Sequence, residues 1–233
     1  MSSVLITGAS RGFGKALAEE YAARGWTLFP LIRDLESIAE LCKKAPGKCF
    51  PIVGDVTSED IEDKIKSVIS SNAGSLDILI NNAGNIRKNY GFSGANPADI
   101  EEHFRVHCIG AFRCVRGSLE FLKKAPKPVI VNISSRRGSI SRTVEGDLQV
   151  IYAYSIAKSA QNMLSVCLSA DLSQYGIKVF AVHPGRLKTE VAPADADVDP
   201  SEAALKLADW IERADTDTPC GFHDIISGGK IGW

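Results

Sequence analysis

What the chain lacks narrows it first. No uncharged apolar run approaches the ~18 residues needed to span a bilayer, and Met1-Ser2-Ser3-Val4-Leu5-Ile6-Thr7 has no basic segment leading into a long apolar one. The expectation is a soluble, cytoplasmic protein with no membrane partner. Charge of one sign is also missing: 27 Lys and Arg against 28 Asp and Glu leave a formal net charge of -1, which offers no broad attraction to nucleic acid. None of the six cysteines, at 42, 49, 108, 114, 167 and 220, forms a CxxC pair. They read as structural thiols in a reducing compartment, with neither a disulfide framework nor a metal site. Linkers, repeats and low-complexity stretches are absent too, so residues 1–233 are expected to form a single α/β domain with a sizeable core.

What is present alternates. Short apolar runs at Val4–Ile6, Thr27–Ile32, Cys49–Val53, Leu76–Ile80, Pro128–Ile133, Ile177–Val182 and His223–Ile226 predict strands. Between them, amphipathic segments at 13–24, 35–45, 59–72, 97–124, 152–174 and 200–213 predict helices. The alternation predicts βαβ units, and so a doubly wound, Rossmann-type parallel sheet of about seven strands with helices on both faces. Pro30 fits an internal strand badly, because it has no N–H to give a ladder, and it predicts a bulge or irregular pairing. In such a sheet, ligands bind outside the carboxyl ends of the strands.

The strand ends carry the informative residues. After the first strand, Thr7-Gly8-Ala9-Ser10-Arg11-Gly12-Phe13-Gly14 leads into a helix; glycines there allow a tight turn and let a pyrophosphate approach backbone N–H groups at the positive helix end. After the second, Arg33-Asp34 stands where an adenosine ribose would lie. Arg33, with Arg11 converging, suits a 2′-phosphate and hence NADP(H), while Asp34 would suit the free hydroxyl of NAD(H). Asp55-Val56 follows the third strand and Asn81-Asn82-Ala83-Gly84 the fourth.

Further on, Tyr154 and Lys158 share one helix face at i, i+4, with Cβ atoms about 5–6 Å apart. A cation at that range favours the phenolate and could bring the phenol's pKa toward neutrality. An amphipathic helix with a partly buried tyrosine and a snorkelling lysine is the plain alternative.

Together, Thr7-Gly8-x-x-x-Gly12-x-Gly14, Asn81-Asn82-Ala83-Gly84, a strand ending in Ser134-Ser135, Tyr154-x-x-x-Lys158 and Pro184-Gly185-x-x-x-Thr189 resemble the short-chain dehydrogenase/reductase family over essentially the whole chain. The interval from Ser135 to Tyr154 and the short C-terminal part resemble its sniffer- and C-factor-like carbonyl reductases. The resemblance implies that Ser135 holds a substrate carbonyl and Tyr154 protonates its oxygen, while Lys158 binds the nicotinamide ribose and lowers the Tyr154 pKa. It also implies that Pro184 and Gly185 line the nicotinamide and that Thr189 contacts its carboxamide or the pyrophosphate. Tyr152 has Ile156, not lysine, four residues on, and Ser134 points to the opposite face from Ser135.

One position departs from the family: His107 stands where an asparagine helps to hold a water that relays protons to the lysine. A pH-sensitive relay is the expectation there. The loop 136–150, with Arg136, Arg137 and Arg142, should overhang a small-molecule carbonyl or alcohol substrate, its arginines either contacting a carboxylate or forming a solvated rim. Residues 186–200 should border the substrate from the other side, with Glu190 to Pro200 a mobile flap. Phe112, Val115, Leu119, Met163, Val166 and Ala170 are read as outward helix faces that pair in a homodimer, against the alternative that they pack on the sheet. The reading is an NADPH-dependent carbonyl reductase; its rival is a dinucleotide-binding signalling or scaffold protein with little turnover.

Overall fold

The computed structural model describes residues 2–45, 47–87, 89–146, 150–189, 196–214 and 218–233. The elements run β1 (Ser3–Thr7), α1 (Gly12–Ala23), β2 (Thr27–Ile32), α2 (Ala39–Lys44), β3 (Ile52–Val53), α3 (Ile61–Asn72), β4 (Ile78–Asn81), α4 (Gly91–Gly94), α5 (Pro97–Phe104), α6 (Ala111–Leu122), β5 (Val129–Ile133), α7 (Ile140–Val144), α8 (Tyr152–Leu172), β6 (Lys178–His183), α9 (Pro200–Arg213) and β7 (Phe222–Asp224). The seven strands pair in parallel, in the order β3-β2-β1-β4-β5-β6-β7. The order reverses between β1 and β4, which opens the crevice where this topology binds ligands.

Strand periodicity sorts the core into two layers. Val4 and Ile6, Ile78 and Ile80, and Val129 and Val131 face α1 and α9, where they meet Leu17, Leu207 and Ile211. The alternate residues Leu5, Leu79, Ile130 and Val179 face α3, α6 and α8, packing on Ile65, Cys114 and Leu168. Burial on both faces is why these strands read as continuous apolar runs. The helix starts were also written locally: Asn96 and Asp199 accept from the N–H groups of Asp99 and Ser201, each followed by a proline in the first turn.

Pro30 is accommodated differently on its two sides. Against β1 the ladder is regular, Ile6 opposite Pro30. Against the edge strand, pairing occurs at Leu28–Cys49 and resumes at Leu31–Ile52. The shared offset sets Pro30 opposite Pro51, so the expected irregularity lies on the β3 side.

The helix expected over 97–124 is continuous, but its middle turn, Arg105–Gly110, is a π-helix. Gly110 lets it approach the segment after β3: a Cβ there would lie 2.7 Å from Val56 Cγ2. Of the six residues read as outward, Phe112, Met163, Val166 and Ala170 are exposed. Val115 is corrected: it is buried in the layer under α3, and Leu119 packs partly against it.

The cysteine expectation is corrected at one pair. Cys42 on α2 and Cys49 have Cα atoms 5.2 Å apart and form a disulfide. The turn that carries the Lys48 N–H to the Ala45 carbonyl at 3.1 Å folds the strand back onto the helix end. Cys108, Cys114, Cys167 and Cys220 are free. No described helix is long and apolar enough to cross a membrane.

Residues 190–195, most of the expected flap, lie outside the described residues. The described remainder is tied down, with Arg186 paired to Asp197 at 2.6 Å and Leu187 bridged to Val198.

Candidate active site

The carboxyl ends of β1 to β6 open into a cleft of about 990 Å³. The residues expected to act in catalysis or to bind the cofactor line it: Gly8, Ser10, Arg11, Gly12, Phe13, Gly14, Arg33, Asp55, Val56, Asn82, Ala83, Gly84, His107, Ser135, Tyr154, Lys158, Pro184, Gly185 and Thr189.

At one end, the glycine turn is lashed to the end of β4. Thr7 Oγ1 accepts from the N–H groups of Asn82 and Ala83 at 3.0 and 2.9 Å, and Asn82 Nδ2 donates to the Thr7 and Gly8 carbonyls at 2.9 and 3.3 Å. Gly8 has φ +68, a left-handed conformation that suits glycine. Across the cleft, Thr189 faces Gly12, where a Cβ would lie 3.5 Å from the threonine methyl.

The adenosine end separates its charged residues. Arg33 lines the cleft, whereas Asp34 turns back to accept from the Glu36 N–H at 3.2 Å. Asp55 accepts from the Thr57 N–H and Oγ1 at 2.9 and 2.7 Å. These bonds, with the Arg33 charge, outweigh its burial and hold its carboxyl below the usual range.

At the other end, β5 delivers two serines to opposite faces. Ser134 Oγ donates to Asn162 Oδ1 at 2.6 Å and is buried, while Ser135 lines the cleft with Tyr154 and its Oγ accepts from the Arg137 N–H at 3.2 Å. Burial pushes the Tyr154 phenol above its ordinary pKa, opposed by the neighbouring Ser135 hydroxyl and the charge of Arg137. The expected lowering by Lys158 is therefore corrected. Lys158 lies 3% exposed and donates from Nζ to the Ile133 carbonyl at 2.6 Å and to Gln161 Oε1 at 2.9 Å. Burial brings its own pKa down to about 7, which weakens the cation that was to act on the phenol.

This lysine should make stability depend on pH. Unfolded, it titrates near ~10.4; folded, near about 7. Between those values the unfolded chain holds the extra proton, so stability rises with pH across that window. The difference in unfolding free energy between wild type and Lys158→Met should climb by about 1.4 kcal/mol per pH unit. Denaturant titrations from neutral pH upward check this, and parallel curves for the two proteins would contradict it.

His107 is 1% exposed and its Nε2 bonds the Asn85 carbonyl at 2.9 Å. A carbonyl only accepts, so Nε2 carries the proton and Nδ1 is a bare, buried acceptor without a hydrogen-bond partner. Burial and the Lys158 charge hold its pKa well below the ordinary imidazole value. Both favour the neutral ring, against the expectation of a pH-sensitive relay. It stands edge-on to Tyr154, centroids 5.5 Å apart, and a Cβ on Gly84 would lie 2.5 Å from its Cε1. His103 stacks behind it at 6.0 Å.

Several participants escaped sequence reasoning. Asn132 accepts from Asn81 Nδ2 at 2.9 Å and donates to Ser165 Oγ at 2.8 Å, joining β4, β5 and α8 beneath the site. His183 and Arg186, flanking the Pro184-Gly185 pair, also line the cleft. Nearness to that motif was the available signal.

The short chain dehydrogenase profile matches residues 2–198. An uncharacterized oxidoreductase of Thermotoga maritima is 34% identical over 216 residues, covering 89% of this chain and 81% of that protein. NADPH-bound carbonyl reductase from chicken fatty liver superposes with a TM-score of 0.88 at 27% identity, covering 100% of this chain and 99% of that one. The carbonyl reductase Sniffer of D. melanogaster gives 0.90 at 26% identity, covering 100% of both chains. The chain belongs to the short chain dehydrogenase family of oxidoreductases.

Proposed function

We propose that the chain is an NADPH-dependent carbonyl reductase, converting an aldehyde, ketone or quinone to its alcohol. One observation carries the reading: Ser135, Tyr154 and Lys158 line one cleft at the carboxyl edge of the sheet, with Lys158 one helical turn on from Tyr154. A carbonyl oxygen seated between the two hydroxyls would accept from Ser135 and take the Tyr154 proton as negative charge develops on it. Burial keeps that proton on the phenol near neutrality. Bound NADPH supplies the hydride that the carbonyl carbon receives. The carbonyl reductases among the structural relatives, one of them NADPH-bound, support both substrate class and cofactor.

The residues present fit a dinucleotide. The Gly8–Gly14 turn offers the first backbone N–H groups of α1 to a pyrophosphate, and the side chain of Arg11 gives that helix start no capping bond. Lys158 would bind ribose hydroxyls, and Pro184, Gly185 and Thr189, which line the cleft, would border the nicotinamide. Arg33 in the cleft, with Asp34 turned away, favours a 2′-phosphate. Arg33→Ala is expected to raise the NADPH dissociation constant about 10- to 100-fold and to change that for NADH far less. Fluorescence titration measures both, and equal losses would refute the role.

A panel of aldehydes, ketones and quinones with NADPH and NADH tests the function. Turnover with NADPH supports it. Tight NADPH binding without turnover on any carbonyl would favour the scaffold reading. A homodimer through the exposed Phe112, Met163, Val166 and Ala170 belongs to the same proposal, with sedimentation as its check.

A further inference from the structure

Resting on the carbonyl-reductase reading, we infer that Gln161 is the positioning residue for Lys158: its side-chain carbonyl holds the ammonium at the carboxyl end of β5 and supports its charge for the cofactor. The two residues lie one turn apart on α8. Lys158 Nζ donates to Gln161 Oε1 at 2.9 Å and to the Ile133 carbonyl at 2.6 Å, and the two side chains are 3% and 1% exposed. An ammonium has three N–H donors, so these acceptors leave one for a ribose hydroxyl. Lys158 lines the cleft and Gln161 does not. Gln161 therefore acts on the cofactor through the lysine.

The charge has little other support. Ile133 and Gln161 are neutral acceptors, and among the described residues no carboxylate opposes the effect of burial on this lysine. The groups facing it are Tyr154 on its own helix, with Nζ 5.7 Å from the ring centroid, and His107 on the π-helical turn, on which the Lys158 charge acts. Behind them stand His103 on α5, stacked on His107, and the turn after β5, whose Arg137 acts on Tyr154 and whose Arg136 acts on His183. A hydrogen bond to a buried charged group is about twice as strong as a neutral one, so losing Oε1 favours the neutral amine.

Gln161 is itself fixed. Its main-chain carbonyl accepts from Ser165 Oγ at 2.9 Å, and that hydroxyl accepts from Asn132 Nδ2 at 2.8 Å. Asn132 precedes Ile133 on β5, so one network sets both acceptors of the ammonium.

The test follows the NADPH dissociation constant of the full chain against pH, by fluorescence titration, for wild type, Gln161→Leu and Gln161→Glu. Wild type should bind tightly while Lys158 is charged and begin to weaken as pH rises through about 7. Leucine removes the acceptor, so the weakening should begin about one pH unit lower; glutamate supplies a negative acceptor, so it should begin about one unit higher. Near neutral pH the two variants should then differ in affinity by at least about tenfold. The cofactor phosphates and the other titrating groups are common to all three proteins, so they cancel in the comparison. A residue that merely packs would leave the onset in place and tolerate buried glutamate worse than leucine. Onsets that match wild type in both variants, or that shift the same way, would overturn the inference; carbonyl turnover by wild type would still leave the reductase reading standing. Should one variant fail to fold, the direction of shift in the other decides. Opposite shifts without turnover of any carbonyl by wild type would overturn the reductase reading and keep Gln161 as the residue that positions Lys158.

Discussion

Tyr154→Phe is expected to lower kcat by about 10²–10⁴-fold while leaving the NADPH dissociation constant unchanged. The variant deletes one oxygen and keeps the ring, so the edge-on contacts with His107 at 5.5 Å and His103 at 6.4 Å remain. The donor that meets the developing alkoxide is lost, while the Ser135 hydroxyl remains in the cleft. The phenol's raised pKa makes it a proton carrier at neutral pH rather than a phenolate. Steady-state rates with NADPH and a carbonyl measure the loss; a variant that retains most of its kcat would remove Tyr154 as the acid.

Gly14→Ala should be the most damaging single-methyl change at the cofactor end. A Cβ there would fall 2.2 Å from the Gly8 carbonyl oxygen and 2.5 Å from Asn82 Nδ2. The first contact is backbone. The second is the amide that ties β4 to the glycine turn, so neither neighbour yields cheaply. Overpacking of this kind costs about 1–3 kcal/mol, roughly 2–10 °C in Tm for a chain of this size. The distorted turn should also weaken NADPH binding at least about tenfold, the equivalent of 1.4 kcal/mol. Gly74→Ala is the control: nothing lies within 4 Å of its added methyl, and both Tm and affinity should hold. Thermal melts and NADPH titrations compare the two, and a Gly14→Ala protein as stable and as tight-binding as the Gly74→Ala control would contradict the tight-turn account.

Both variants concern residues visible in the sequence, and the reason is physical. A strand buried on both faces is written as an apolar run, and a glycine turn at a helix start is written locally. Val4, Leu5 and Ile6 therefore fix β1, and Gly8, Gly12 and Gly14 fix the turn into α1. The Tyr154–Lys158 spacing is equally local. The surroundings of those residues are not. The π-turn at Arg105–Gly110 ends where Gly110 meets Val56, a contact between segments far apart in the chain. The Lys158 ammonium was expected to act on the phenol, but it points to the Ile133 carbonyl and Gln161, and its burial is set by packing between α8 and β5. The Cys42–Cys49 pairing needed the turn that brings those residues to 5.2 Å between Cα atoms. His107 fell to the same cause: a reference pKa near neutrality says nothing of an imidazole packed against Gly84 and Tyr154.

The most direct test of the central claim is the fate of a deuterium carried by nicotinamide-deuterated NADPH. Incubated with a carbonyl substrate and analysed by mass spectrometry, wild type should place one deuterium on the carbinol carbon of the alcohol for each NADPH consumed, and Tyr154→Phe should form the same labelled product far more slowly. Tight NADPH binding with no labelled alcohol, or alcohol formed without the label, would contradict hydride transfer in this cleft.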